Sequence, residues 1–169
     1  MARLIGATLV ALLTALILST TPAFAFDRQA NEATLLRLIN HARTSRGLAA
    51  VKVQAALDKA ALAHSREMVS RDYFAHSSSA GASVASRARS AGYSTSGWSR
   101  WEVGEVIAWG KSYRGTPQVI FKAWMHSSSH RRIILGKRWR DAGLGACRGT
   151  FNGLSGVIMY TVDFGRRTQ

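Results

Sequence analysis

Apolar residues recur along the chain with two different periods, and the change of period divides it into a helical front and a strand-rich back. Leu35, Leu38, Ile39 and Ala42 fall on one stripe at helical spacing, with Asn31 placed to cap the helix and Gly47 to end it. A second helix is predicted from Leu57 to Arg71, where Leu57, Ala61, Ser65 and Met68 share a face. A short third helix precedes Ala91-Gly92, and the Ser, Thr and Gly of Ser94 to Arg100 read as a loop. Gly104 to Ala108 forms a short strand-like run, and Thr116-Pro117 opens a further helix carrying Ile120 and Trp124. Two strands follow, near Gly143 to Arg148 and Val157 to Phe164, with Asn152-Gly153 in the connecting turn. Helices mixed with a small antiparallel sheet predict a layered α/β or α+β fold.

Ahead of this pattern lies a segment of another kind. Arg3 supplies a positive start, Leu4 to Leu18 is apolar and uncharged, and Ala23-Phe24-Ala25 ends the segment in a small-x-small pattern. Residues 1–25 therefore read as a cleavable signal peptide, and residues 26–169 as one domain exported to the periplasm or beyond. The apolar stretch is shorter than the roughly 20 residues of a spanning helix, and the rest of the sequence offers no other candidate. A single cysteine, Cys147, excludes an intramolecular disulfide; in its run of small residues it reads as a buried strand residue rather than a nucleophile.

Composition adds one strong signal. The formal net charge is +14, and removal of Arg3 with the leader leaves +13. The charge gathers in Arg131-Arg132, Lys137-Arg138, Arg140 and Arg166-Arg167, with Trp139 among them. Such a surface attracts polyanions, and outside the cytoplasm the expected partners are anionic envelope components, lipid head groups or polysaccharide. Nucleic acid is disfavoured, because no recognition-helix, zinc-finger or RNA-binding signature is present.

Three polar residues stand at element boundaries, where side chains can face a cleft: His76 after Tyr73-Phe74-Ala75, Glu105 within Gly104-Glu105-Val106-Ile107-Ala108, and His130 after three serines. Their setting is part of a longer ordered series. Leu38-Ile39-Asn40-His41-Ala42-Arg43, Tyr73-Phe74-Ala75-His76-Ser77 and Ala91-Gly92-Tyr93 come first. Gly104-Glu105-Val106-Ile107-Ala108-Trp109-Gly110, Trp124-Met125-His126-Ser127-Ser128-Ser129-His130-Arg131, Asp141-Ala142-Gly143-Leu144-Gly145 and Tyr160-Thr161-Val162-Asp163-Phe164-Gly165 complete it. The series resembles the CAP superfamily (SCP-like; cysteine-rich secretory, antigen 5 and pathogenesis-related proteins), in its compact, cysteine-poor bacterial branch.

The resemblance implies an α-β-α sandwich whose central cleft carries two His and up to two Glu. His76, Glu105 and His130 match three of those positions, and Ser127 stands at the fourth. The sequence departs from the family pattern at Val106, at Ser127-Ser128-Ser129, at Ile133 and at Ala80 before Gly81. Lipids, sterols and metal ions are the ligand classes the resemblance implies. Two imidazoles and a carboxylate can hold a divalent metal such as zinc, form a hydrogen-bonded cluster that positions a ligand, or supply a general base. The metal reading assigns His76, His130 and Glu105 as ligands. Glu102 lies three positions from Glu105, on the opposite strand face, and Asp163 is read as structural. The expectation is a ligand-binding cleft without strong catalysis. Its rivals are an exported metal-dependent hydrolase acting on peptides or cell-wall material, and a basic surface protein that binds polyanions.

Overall fold

The computed structural model describes residues 26–169, so the leader predicted for residues 1–25 lies outside the described residues. The element order is α1 (Arg28–Thr44), β1 (Lys52–Val53), α2 (Ala55–Ser70), α3 (Val84–Ser90), β2 (Arg100–Lys111), a 3-10 turn at Ser112–Gly115, α4 (Pro117–His126), α5 (Ser128–Ile134), β3 (Asp141–Phe151) and β4 (Leu154–Thr168). The strands form one sheet in the order β1-β3-β4-β2. The two-residue β1 runs parallel to β3, and the other pairs are antiparallel. Asn152 and Gly153 both take positive φ, as a tight two-residue hairpin between right-twisted strands requires.

Alternation along the strands sends each residue set to one of two helical layers. Val106, Leu144, Tyr160, Val162 and Phe164 are buried with Leu35, Ile39, Ile120, Trp124 and Ile134 under α1, α4 and α5. The opposite face meets α2 and α3 in two clusters: Met68 packs with Ile107, Val157 and Met159, and Leu57 packs with Ala88 and Tyr93. The result is the α-β-α sandwich. Gly143 and Gly145 of β3 allow α2 to lie directly on the sheet: a Cβ at Gly145 would collide with the Leu62 backbone nitrogen. At this contact Ser65 donates to the Gly145 carbonyl at 2.9 Å.

Several local expectations are corrected. The cap of α1 is Asp27, whose carboxylate accepts from the Ala30 N–H at 3.0 Å, and not Asn31. The first turn (Arg28, Gln29, Ala30) carries no large apolar residue, so the hydrophobic stripe begins one turn late. Arg100 begins β2 rather than closing a loop, and His130 stands on a separate short helix, α5. Cys147 lies on β3 as expected, but it is half-buried near exposed Arg66 instead of buried.

Candidate ligand-binding cleft

The cleft forms at a sheet edge. β2 is the last strand in the order, so the loop that follows α2 on one layer and the α4–α5 junction on the other meet beside it. Phe74, Ala75 and His76 come from the loop, Ile107, Ala108 and Trp109 from β2, and Ala123, Trp124, Ser127 and His130 from α4 and α5. Together they enclose an open cleft of about 410 Å³. Trp124 is fixed by donation from its indole N–H to the Ile107 carbonyl at 3.1 Å. Trp109 packs edge-on against Phe151, ring centroids 5.1 Å apart, and Phe74 stands 43% exposed at the mouth.

Behind His76 lies a charged cluster. Glu105, almost wholly buried, holds His76 Nδ1 at 2.7 Å through one carboxylate oxygen and the Arg87 guanidinium through the other. Arg87 also donates to the His76 carbonyl at 2.6 Å and the Ala82 carbonyl at 3.1 Å, which fastens the loop in place. His64, fully buried on α2, contacts the Ala75 carbonyl at 2.9 Å and lies 3.9 Å from Glu105. Glu67 accepts from Tyr73 at 2.8 Å and from the Ser79 hydroxyl at 2.5 Å, closing the loop from its outer side. Asp163, the register partner of Glu105 on β4, is fully buried with neither carboxylate oxygen hydrogen-bonded. Burial, and then the charge of Glu105, push its carboxyl well above the usual carboxylate range.

The four residues expected at the site are thus brought together. His76, Ser127 and His130 line the cleft, and Glu105 supports His76 from beneath. Glu102 faces the other way, as expected, and pairs with Arg138 at 3.3 Å and Arg166 at 3.6 Å.

The sequence matches the family described as CAP, the cysteine-rich secretory protein family, over residues 36–164. The chain belongs to the CAP family. It is 33% identical over 127 residues to "Uncharacterized protein YkwD" of Bacillus subtilis (strain 168), a match over 75% of this chain and 46% of that protein. The chain thus spans less than half the length of that relative. Among solved structures it is similar to an extracellular protein containing a SCP domain from Bacillus anthracis str. Ames, with a TM-score of 0.66, 22% identity, and coverage of 82% of this chain and 41% of the other. It is also similar to an outer surface protein from Borrelia burgdorferi, with a TM-score of 0.68, 19% identity, and coverage of 85% of this chain and 97% of the other. At these identities the two structures establish the fold.

A divalent metal does not fit this CAP cleft as it is arranged. Both oxygens of Glu105 are committed, one to His76 and one to Arg87, and the guanidinium already supplies the cation that a carboxylate at this position attracts. His130 Nδ1 is buried with no acceptor, so it lacks the outer partner that orients a metal-binding imidazole. Among the described residues, no group of three or more His, Cys, Asp or Glu side chains is placed to hold an ion.

Three members of the cluster, His64, Glu67 and Arg87, were not among the residues expected at the site. His64 carried a usable signal, since it falls beside Ser65 on the buried stripe of α2, where an imidazole needs a polar partner. Arg87 carried none, because nothing in the exposed-looking run around it distinguishes it from the other arginines.

Three histidines of the CAP domain, His64, His76 and His130, are held at different protonation thresholds. The hydrogen bond to Glu105 raises the pKa of His76 above its ordinary value, whereas burial lowers those of His64 and His130. His76 therefore contributes stability that is full below the unfolded value of about 6.5 and fades as pH rises through its folded value. His64 and His130 contribute stability that is full above about 6.5 and is lost as pH falls toward their folded values. An NMR pH titration is expected to show His76 taking up its proton above pH ~6.5 on acidification, and His64 and His130 only below it. His76 titrating below His130 would contradict the assigned geometry.

Proposed function

We propose that this chain is an exported CAP domain that binds a single-chain amphiphile bearing an acidic head, without turning it over. The reading rests above all on one juxtaposition: the aromatic wall of Phe74 and Trp109 faces the same open cleft as His76 and His130. An acyl chain laid along Trp109, Ile107 and Ala108 removes apolar surface from water, and the head group meets the imidazolium that Glu105 favours at His76. The leader pattern at residues 1–25 and the relatives described as extracellular or outer surface proteins support export. Among the described residues no helix is long and apolar enough to cross a membrane.

Hydrolysis is the weaker reading because the buried carboxylate has no free oxygen to serve as a base. Glu105 is saturated by Arg87 and His76, and Asp163 is enclosed behind it. What this cluster does is orient His76 and hold a charge at the cleft mouth.

Calorimetric titration with dodecanoate, below its micelle concentration, tests the proposal. Binding is expected to strengthen as pH falls from 8 to 6. Trp109→Ala is expected to weaken it about tenfold, the scale of one lost apolar side-chain contact. His76→Ala is expected to weaken dodecanoate but leave an uncharged dodecyl glycoside unaffected. Affinity indifferent to both substitutions, or ester and peptide turnover lost in His76→Ala, would overturn the proposal.

A further inference from the structure

The end of the sheet remote from the cleft gathers five arginines and a lysine. β2 begins and β4 ends there, with Arg100 opposite Thr168, Trp101 opposite Arg167 and Glu102 opposite Arg166. The turn after α5 joins the same end, because the Arg140 N–H donates to the Gly165 carbonyl at 3.0 Å. Arg100, Lys137, Arg138, Arg140, Arg166 and Arg167 are thereby gathered around two carboxylates. Glu102 is shared between Arg138 and Arg166, and Asp141 between Arg167 at 3.5 Å and the Tyr93 hydroxyl at 2.7 Å. Among the described residues Arg100, Lys137 and Arg140 are exposed with no carboxylate partner. The fold brings these cations together from separate segments and leaves their charge open to solvent.

A flat aromatic surface adjoins these cations. The Arg167 guanidinium lies 4.4 Å from the Tyr93 ring centroid and 5.2 Å from that of Trp98. Trp98 is 36% exposed, and the other exposed aromatics, Phe74 and Tyr113, lie elsewhere. An indole backed by a guanidinium stacks on the C–H face of a sugar ring, and neighbouring arginines take carboxylate or phosphate groups by paired N–H donation. A bilayer calls for several apolar side chains that insert together, and single-stranded nucleic acid for a series of stacking platforms. One exposed indole amid unpaired cations matches neither as well as it matches a charged glycan.

We infer that this end of the sheet is a second binding surface that takes an acidic polysaccharide, with Trp98 stacked on a sugar ring and Arg100, Arg138 and Arg140 meeting its acidic groups. The surface is separate from the cleft, since Glu102 and Glu105 occupy opposite faces of β2. Its occupancy leaves His76 and Trp109 untouched.

Biolayer interferometry of the purified protein on immobilised alginate, a polyuronate, tests the inference against neutral dextran, phosphatidylglycerol vesicles and oligothymidine. Alginate is expected to bind most tightly, and dextran not at all. Arg138→Ala with Arg140→Ala should weaken alginate binding at least tenfold and flatten its salt dependence. Trp98→Ala should weaken it about fivefold at every salt concentration, and Trp98→Phe should restore part of that loss. His76→Ala and Trp109→Ala should change nothing, so failure here is distinguishable from failure of the cleft proposal. Equal or tighter binding to the vesicles or to oligothymidine would overturn the inference, as would a Trp98→Ala protein that binds alginate normally.

Discussion

Replacing Arg43 by Ala is expected to lower the unfolding free energy by about 4 kcal/mol, with no direct effect on the cleft. Arg43 is fully buried near the end of α1, and among the described residues no carboxylate pairs with it. Its guanidinium is satisfied by backbone carbonyls: Ala49 at 3.0 Å, Ile134 at 2.7 Å, Gly136 at 3.0 Å and Trp139 at 3.4 Å. One side chain thus ties α1 to the turn after α5, and that turn carries Trp139, whose ring stacks on Phe164 of the core. Truncation leaves several buried carbonyls unpaired and a cavity in their midst, and two terms of that kind add. Arg43→Lys should recover only part of the loss, because a point ammonium cannot reproduce the fork of donors. Urea denaturation reads the effect directly. A loss below about 1 kcal/mol would show that the carbonyls find water instead.

The second large effect is expected at Glu105. Glu105→Ala should cost about 3–5 kcal/mol, the usual consequence of removing one partner from a buried ion pair. Arg87, only 9% exposed at its side chain, would be left without its counter-ion, and His76 would lose the acceptor that raises its pKa. The double variant Glu105→Ala, Arg87→Met should regain much of the stability, because an apolar replacement removes the uncompensated charge. It should not regain the elevated His76 titration. Separating stability from protonation in this way distinguishes a cluster that positions an imidazole from one that merely holds the fold. A double variant in which His76 still titrates above its ordinary value would contradict the positioning role.

The layered fold was legible because its signals are local. The period of α2, the Thr116-Pro117 start of α4 and the Asn152-Gly153 turn each act within a few residues, and each lies where the sequence places it. Even there the chemistry can differ: Thr116 precedes α4 as expected, but its hydroxyl donates back to the Tyr113 carbonyl at 2.9 Å instead of capping the helix. The close fit of Gly143 and Gly145 beneath α2 was less visible, since a run of small residues does not announce what will press against it. His76, Glu105 and His130 could be named from the order of the CAP landmarks, and their meeting at one strand edge follows from the sheet order. Arg87 joins the cluster through long-range pairing alone, and sequence patterning carries no trace of such a contact. Arg87 is the residue that changed the chemical reading of the site most, because its guanidinium takes the carboxylate oxygen that a metal ion would need.

The cleft between the α2 loop and the α4–α5 junction is where we propose that this protein takes its ligand. Heteronuclear NMR with dodecanoate titrated into the labelled protein measures that location residue by residue. Shifts are expected at Phe74, His76, Trp109, Ser127 and His130, and none around the larger cavity of about 770 Å³ that Phe26, Lys111, Pro117, Arg148 and Ile158 form beside the β3–β4 hairpin. Shifts confined to that second cavity, with His76 and Trp109 unmoved, would contradict it.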